Sequence, residues 1–209
     1  MVSRETLQND ILMETIFAPS TQNVSAIKII RISGPRAKEI PKIFGFAENT
    51  PKQYQIRKLK DKDKTIDTVP VIWLPGPNTY TGEDVFELHI HGALSVESKI
   101  YEILVKRNFR MAEKGEFTKR AVINGKIDLT QAEAVNDLIN SETDKQLELA
   151  NLNLEGKLKR TLYKWRNNLI ELSSDIETLI DFSDEEVPED LDDLFKHKLN
   201  ILIKNIEKH

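Results

Sequence analysis

Three charged positions stand out because each is set among residues or turns that restrict where its charge can go. Arg31 lies in SAIKIIRIS (25–33), flanked by Ile29, Ile30, Ile32 and Ser33. A guanidinium there must bond something, and an acidic side chain is the simplest partner. Glu87 sits mid-strand in GEDVFELHIHG (82–92). Side chains alternate along a strand, so Glu87 and His89 face one way while Phe86 and Leu88 face the other. A carboxylate buried alone is costly. Glu87 therefore pairs with a nearby Arg or Lys, faces solvent, or meets a ligand carrying N–H donors, such as a pterin ring. Lys126 follows the turn dipeptide Asn124-Gly125, just before the next helix. From there it reaches a ligand carboxylate or phosphate, or stays solvated beside the turn.

Other groups carry less. His89 and His91 project on one side of their strand, as a two-histidine metal arm would. Zinc needs three or four ligands, and only His197 and His209 remain in the chain, so no metal site is expected. Two basic stretches, Arg57 to Lys64 and Lys157 to Lys164, read as solvated faces without the aromatic interleaving of a single-strand binding platform.

The elements that position these groups fall into two halves. Seven of the eight prolines and most β-branched runs precede residue 115. Residues 25–33 read as a largely buried strand stopped by Gly34-Pro35, with a short helix starting in RAKEIPKIF. Residues 52–60 and 66–74 form a predicted hairpin around DKDKT. A loop, PGPNTYTG (75–82), leads to a strand at 84–90, and a helix follows at about 93–106. In GEFTKRAVINGKIDLTQAEAV (115–135), Gly115 permits a special backbone angle, and Thr118 is the expected cap of the short helix holding Lys119 and Arg120. From Asp128 the pattern is helical, opened by a capping box of Thr130 with Glu133 or by Asp128 with Gln131. An apolar stripe from Leu147 to Ile180 is too long for one unbroken helix, and Gly156 is its weakest point. Left uncovered, that stripe predicts self-association. The acidic run 181–193, with Pro188, precedes a last helix at about 190–207.

The chain has 209 residues, a net charge of −4 and no cysteine. Disulfides, thiolate metal sites and cysteine nucleophiles are thereby excluded within it, and the usage fits a cytoplasmic protein. Contact with RNA would need a local basic patch rather than whole-molecule attraction. No apolar run approaches a membrane span and the first residues carry no apolar signal region, so no membrane association is expected.

Taken in order, METIFA (13–18), IKIIRISGP (27–35), LPGPNTYTGEDVFELHIHG (74–92), GEFTKRAVINGKIDLTQAEAVNDLI (115–139) and IDFSDEE (180–186) resemble the MnmE (TrmE) family of tRNA-uridine-5-carboxymethylaminomethyl modification GTPases. The resemblance covers nearly everything from residue 14. It implies an α+β N-terminal domain, residues 1–118, similar to folate-binding aminomethyltransferase-type domains and homodimerising. It implies that residues 119–209 are the first part of an all-α helical domain. By the same resemblance, 5-formyl- or 5,10-methylene-tetrahydrofolate binds through an arginine in the RISG strand, a glutamate in the GEDVxEL strand and a lysine in the NGKxDL turn. Those positions are Arg31, Glu87 and Lys126. Implied partners are a MnmG (GidA)-type FAD protein and, through the full complex, tRNA, whose wobble uridine is modified.

The chain departs from the family pattern in three places. A glycine-rich PPGRGG-type loop is replaced by PSTQNVSA (19–26), the usual HGG ending is His91-Gly92-Ala93, and the usual RPGEF is Glu113-Lys114-Gly115-Glu116-Phe117. No G-x-x-x-x-G-K-[ST] motif occurs in the 209 residues. The chain alone is therefore expected not to hydrolyse GTP; GTP, Mg and K belong to a further domain of the family, beyond residue 209. A non-catalytic dimerisation and partner-docking scaffold without folate binding is the alternative reading.

Overall fold

Alternation of isoleucine with other residues commits Ile27–Ser33 to a strand, β2, and a six-stranded sheet assembles around it in the computed structural model. The structure describes residues 13–21, 25–181 and 190–208. The remaining strands are β1 (Ile16–Pro19), β3 (Tyr54–Asp61), β4 (Lys64–Leu74), β5 (Val85–His91) and β6 (Arg110–Met111). Their spatial order is β3-β4-β5-β2-β1-β6, antiparallel except for the β1–β6 pair. The β3–β4 hairpin is tighter than the expected DKDKT turn. Lys62, at φ 54°, and Asp63 alone join the strands, and a register shift between Leu59 and Lys60 bends the ladder.

One face of the sheet is the core. Ile30, Ile32, Phe86, Leu88 and Ile90 belong to a single buried cluster with Ile100 and Leu104 of helix α2 (Leu94–Lys106). A 3-10 turn (Ala37–Glu39) running into the short helix α1 (Ile40–Ile43) adds Ala37 and Ile40 to it. Lys28 stands in the same alternating row as Ile30 and Ile32. It is tolerated because its ammonium meets the Glu97 carboxylate of α2 at 2.5 Å, and Tyr101 donates to the other Glu97 oxygen at 2.7 Å. The opposite face carries Ile27, Tyr54 and Ile56, which are 59–71% exposed.

Helix α3 (Glu116–Ile123) completes this α+β unit. The chain divides between Asp128 and Leu129, ten residues past the expected 118/119 boundary. The physical reason is Arg120: the side chain of this α3 residue is entirely buried among partners of the sheet unit.

The second unit is all helical: α4 (Leu129–Ile139), α5 (Asp144–Leu154), α6 (Lys157–Asp181) and α7 (Asp190–Glu207). The stripe breaks at Gly156, which has φ 78°. Helix α4 begins at Leu129, so Thr130 lies inside the first turn rather than capping it. That start places Asp128, the alternative opening residue, immediately before the helix, and a reciprocal capping box of Thr143 and Gln146 opens α5. Helices α6 and α7 are tied by Lys198, which bonds Glu171 at 2.8 Å and Asp175 at 2.9 Å. Leu172 and Leu202 are buried there, whereas Leu162, Leu169, Ile176 and Ile180 stay 40–66% exposed. Most of the acidic run around Pro188 lies outside the described residues. Among the described residues no helix is long and apolar enough to cross a membrane.

Candidate functional site

Arg31 and Glu87 face each other across the β2–β5 ladder, in direct register. The Arg31 Nε donates to Glu87 Oε1 at 2.8 Å, with the glutamate side chain 12% exposed and the arginine 30% exposed. Of the alternatives open to Glu87, pairing with a nearby arginine is what the fold supplies. Its second oxygen, Oε2, lies 3.6 Å from His89 Nε2, beyond hydrogen-bond reach. That His89 nitrogen is buried and has no hydrogen-bond partner among the described residues, while Tyr54 meets the imidazole ring edge-on at 5.2 Å. Phe117 of α3 covers the arginine, whose Cζ lies 5.8 Å from the ring centroid. A carboxylate oxygen without a hydrogen bond among the described residues thus stands on this face beside a fixed cation and a buried imidazole nitrogen.

Lys126 is held near this face by a different route. Its backbone N–H closes the turn after α3 by bonding the Ala121 carbonyl at 2.8 Å. Its side chain lies over Gly82, where an added Cβ would meet Lys126 Cγ and Cδ at 3.2 Å. Gly82 therefore lets the lysine stem pass close to the 75–84 loop. Lys126 is exposed and forms no ion pair among the described residues. The structure brings Arg31 and Glu87 into contact; no hydrogen bond or ion pair joins Lys126 to either.

The sequence reading missed the groups that fasten this arrangement. Arg120 donates to Glu83 Oε1 at 2.9 Å, to the Glu14 carbonyl at 2.7 Å and to Glu116 at 3.2 Å. Glu83 also accepts from the Ser33 hydroxyl at 2.6 Å, and Ser33 bonds Thr81 at 2.8 Å. Asn124 donates to the Thr81 carbonyl at 2.7 Å, joining the Lys126 turn to the same loop. Burial pushes the Glu116 carboxyl up, but bonds from Arg110, the Glu113 N–H and Arg120 overcome it and hold the group at about 2. The Glu116–Arg120 spacing of four in a helix was the available signal. Thr118 does not cap α3: the helix starts at Glu116 after Gly115 at φ 75°, and the Thr118 hydroxyl bonds Tyr80 at 2.9 Å.

The two histidines diverge in role. His91 bonds Asp67 through Nδ1 at 2.8 Å, away from His89. Among the described residues no group of three or more His, Cys, Asp or Glu is placed to hold a metal.

An α+β domain with an antiparallel-rich sheet, a fastened loop and an Arg–Glu pair on its open face is followed in the chain by an all-helical unit. Comparison with known proteins gives it a family. Residues 15–126 match the model for the GTP-binding protein TrmE N-terminus, and residues 129–209 match the model for the MnmE helical domain. The chain belongs to the MnmE (TrmE) family. It is similar to proteins named tRNA modification GTPase MnmE. From Anaplasma phagocytophilum (strain HZ) one is 43% identical over 100% of this chain, and from Phenylobacterium zucineum (strain HLK1) one is 41% identical over 94%. Another, from Rickettsia prowazekii (strain Madrid E), is 40% identical over 86%. The chain spans 41–44% of the length of these relatives. The boundary between the two family models coincides with the structural division at Asp128 and Leu129.

Proposed function

We propose that the 1–128 unit is the folate-binding and dimerising module of a tRNA wobble-uridine modification GTPase, with Arg31, Glu87 and Lys126 as its ligand contacts. The observation that carries this reading is the Arg31–Glu87 pair, its arginine covered by Phe117 and its Glu87 Oε2 without a hydrogen bond among the described residues. A reduced pterin presents a row of N–H donors that suits a carboxylate oxygen held in this way. Arg31 holds the Glu87 carboxylate in place across the ladder. Lys126, exposed and carrying no ion pair among the described residues, is suited to the anionic glutamyl tail. Bound 5-formyl- or 5,10-methylene-tetrahydrofolate would supply the one-carbon unit; these residues bind and orient it. A MnmG-type FAD protein and tRNA are the partners in this reading. GTP hydrolysis with Mg and K belongs to a domain other than these two units, since no P-loop motif occurs here.

The second reading, a scaffold that dimerises and docks a partner without folate, is favoured by one observation: Arg31 and Glu87 already satisfy each other. Calorimetric titration with 5-formyltetrahydrofolate separates the two. Saturable binding near one ligand per chain, lost in Arg31→Ala and Glu87→Ala, supports the folate module. A folded wild-type chain that takes up no ligand leaves the scaffold.

A further inference from the structure

On the core side of the sheet, away from the Arg31–Glu87 face, three elements close around a cleft of about 470 Å³. The β3–β4 hairpin tip supplies one wall, the end of α1 another, and the C-terminal half of α2 the third. Six cations line it: Lys42, Lys60, Lys62, Lys99, Lys106 and Arg107. Among the described residues lining it, only Asp61 and Glu102 oppose them, so the cleft carries four surplus positive charges in a chain whose net charge is −4. The two carboxylates are spent on their neighbours. Asp61 bonds Lys99 at 2.9 Å, and Glu102 bonds Lys99 at 3.3 Å and pairs with Lys106. Lys42, Lys60, Lys62 and Arg107 form no ion pair among the described residues.

The cations are not merely a solvated stripe on one element. They converge from segments separated by as much as 65 positions, and the walls are fixed to one another. The Lys60 N–H bonds the Phe44 carbonyl at 2.9 Å, and Lys99 crosses from α2 to the hairpin. Ile43 and Ile103 line the cleft, where they pack against the core. Holding like charges this close costs self-repulsion, which an anion bridging several of them would relieve.

We propose that this cleft holds the sugar-phosphate backbone of an RNA. Among the described residues no aromatic side chain lines it, so none of them is offered for stacking on a base. What it offers is several point charges spaced along a groove, which suits consecutive phosphates and reads no sequence. The choice of RNA over another polyanion rests on the tRNA-modification reading above; the charge geometry does not.

Fluorescence anisotropy with a labelled tRNA, run on the full chain at several salt concentrations, tests it. The Lys60→Glu/Lys62→Glu variant is expected to bind at least about tenfold more weakly, with a log–log salt slope shallower by about 1 to 2, since each phosphate contact contributes about 0.7 to 0.9. Both side chains are on the hairpin tip outside the core, so the unfolding midpoint should not move. Glu102→Gln, which removes a competing carboxylate, is expected to tighten binding about two- to threefold. Lys157→Glu/Lys159→Glu, on the helical unit, should leave affinity unchanged. Wild-type chain that fails to bind tRNA overturns the proposal, as does equal weakening by the hairpin and helical variants. Each variant is also titrated with 5-formyltetrahydrofolate. Unchanged folate binding with unchanged tRNA binding in Lys60→Glu/Lys62→Glu sinks the cleft alone, whereas loss of folate binding by the wild type sinks only the folate reading.

Discussion

Arg120 Nη1 donates to both carboxylate oxygens of Glu83, at 2.9 and 3.2 Å, from a side chain with no exposed surface. The two residues come from different elements, helix α3 and the end of the 75–84 loop. Their contact decides where that loop sits relative to β2. Through Ser33 and Thr81 it also fixes the β2 end, two residues beyond Arg31, and through Asn124 the turn bearing Lys126. The charges that read as chemistry in the sequence are held in place by others that do not touch the open face.

Arg120→Met should therefore be among the most damaging single changes in the sheet unit. It leaves Glu83 and Glu116 in a buried setting without their shared cation, and breaking a buried pair in this way costs about 3–5 kcal/mol. Arg120→Lys keeps the charge but loses the planar fork, so it should recover only part of the loss. Urea denaturation checks this: the midpoint should fall with an unchanged slope. Midpoints within a few tenths molar of wild type would mean the network is not holding the loop.

Acid should loosen the same region over a definable window. Glu116 is held at about 2 in the folded chain against an ordinary value of 4.5. The unfolded state therefore binds more protons between those values, and stability there rises with pH. The contribution is fully present above about 4.5 and is lost as pH falls towards 2. Glu116→Gln should be less stable at neutral pH and show a flatter stability profile between pH 4.5 and 2. An unchanged slope in that window would assign acid sensitivity to other carboxylates.

The Arg31–Glu87 pair separates stability from ligand reading. Both side chains are partly accessible, so Glu87→Ala should cost only about 1 kcal/mol. The charge-swapped Arg31→Glu/Glu87→Arg variant should regain most of that, because the register places the two directly opposite. It should nonetheless fail to bind 5-formyltetrahydrofolate, since the carboxylate now stands on β2. Wild-type affinity in the swapped chain, measured by calorimetry, would show that the ligand does not depend on which strand carries which charge.

How much of this was legible in the sequence depends on how local each feature is. Strand β2, the hairpin and α2 announce themselves through their own periodicity, and Gly156 marks the helix break by residue type alone. Strands β1 and β6, of four and two residues, are too short to alternate visibly; β1 exists because it pairs antiparallel with β2, and β6 because it adds in parallel to β1. Two spacings offered a helix start, Thr130 with Glu133 and Asp128 with Gln131; the chain enters α4 at Leu129, directly after Asp128, and spacing alone does not choose between them. The Arg31–Glu87 contact spans 56 positions and the Arg120–Glu83 contact 37. Both follow from sheet register and loop docking, which no local pattern encodes. That Arg31 and Glu87 each needed a partner was readable; that the partner was the other required the fold.

The His91-Gly92-Ala93 segment gives a last test, because its two small residues have opposite tolerance. A Cβ on Gly92 would sit 1.7 Å from the Ser25 carbonyl oxygen and 2.9 Å from its carbon, and both are backbone atoms that no rotamer can move. The approach is enforced by the Gly92 N–H bonding the Ala26 carbonyl at 3.0 Å. Gly92→Ala must displace the strand entry of β2 or break that bond, so it should cost about 3 kcal/mol or more. Ala93 is instead the N-cap of α2, with extended backbone at φ −74° and ψ 131° and no side-chain cap bond. Ala93→Ser supplies the missing acceptor for the first helical N–H groups and should stabilise by about 1 kcal/mol. Paired thermal melts decide it: a lower midpoint for Gly92→Ala beside a higher one for Ala93→Ser is the expected result. A Gly92→Ala melt matching wild type would mean that β2 and the turn after β5 are free to move apart at no cost.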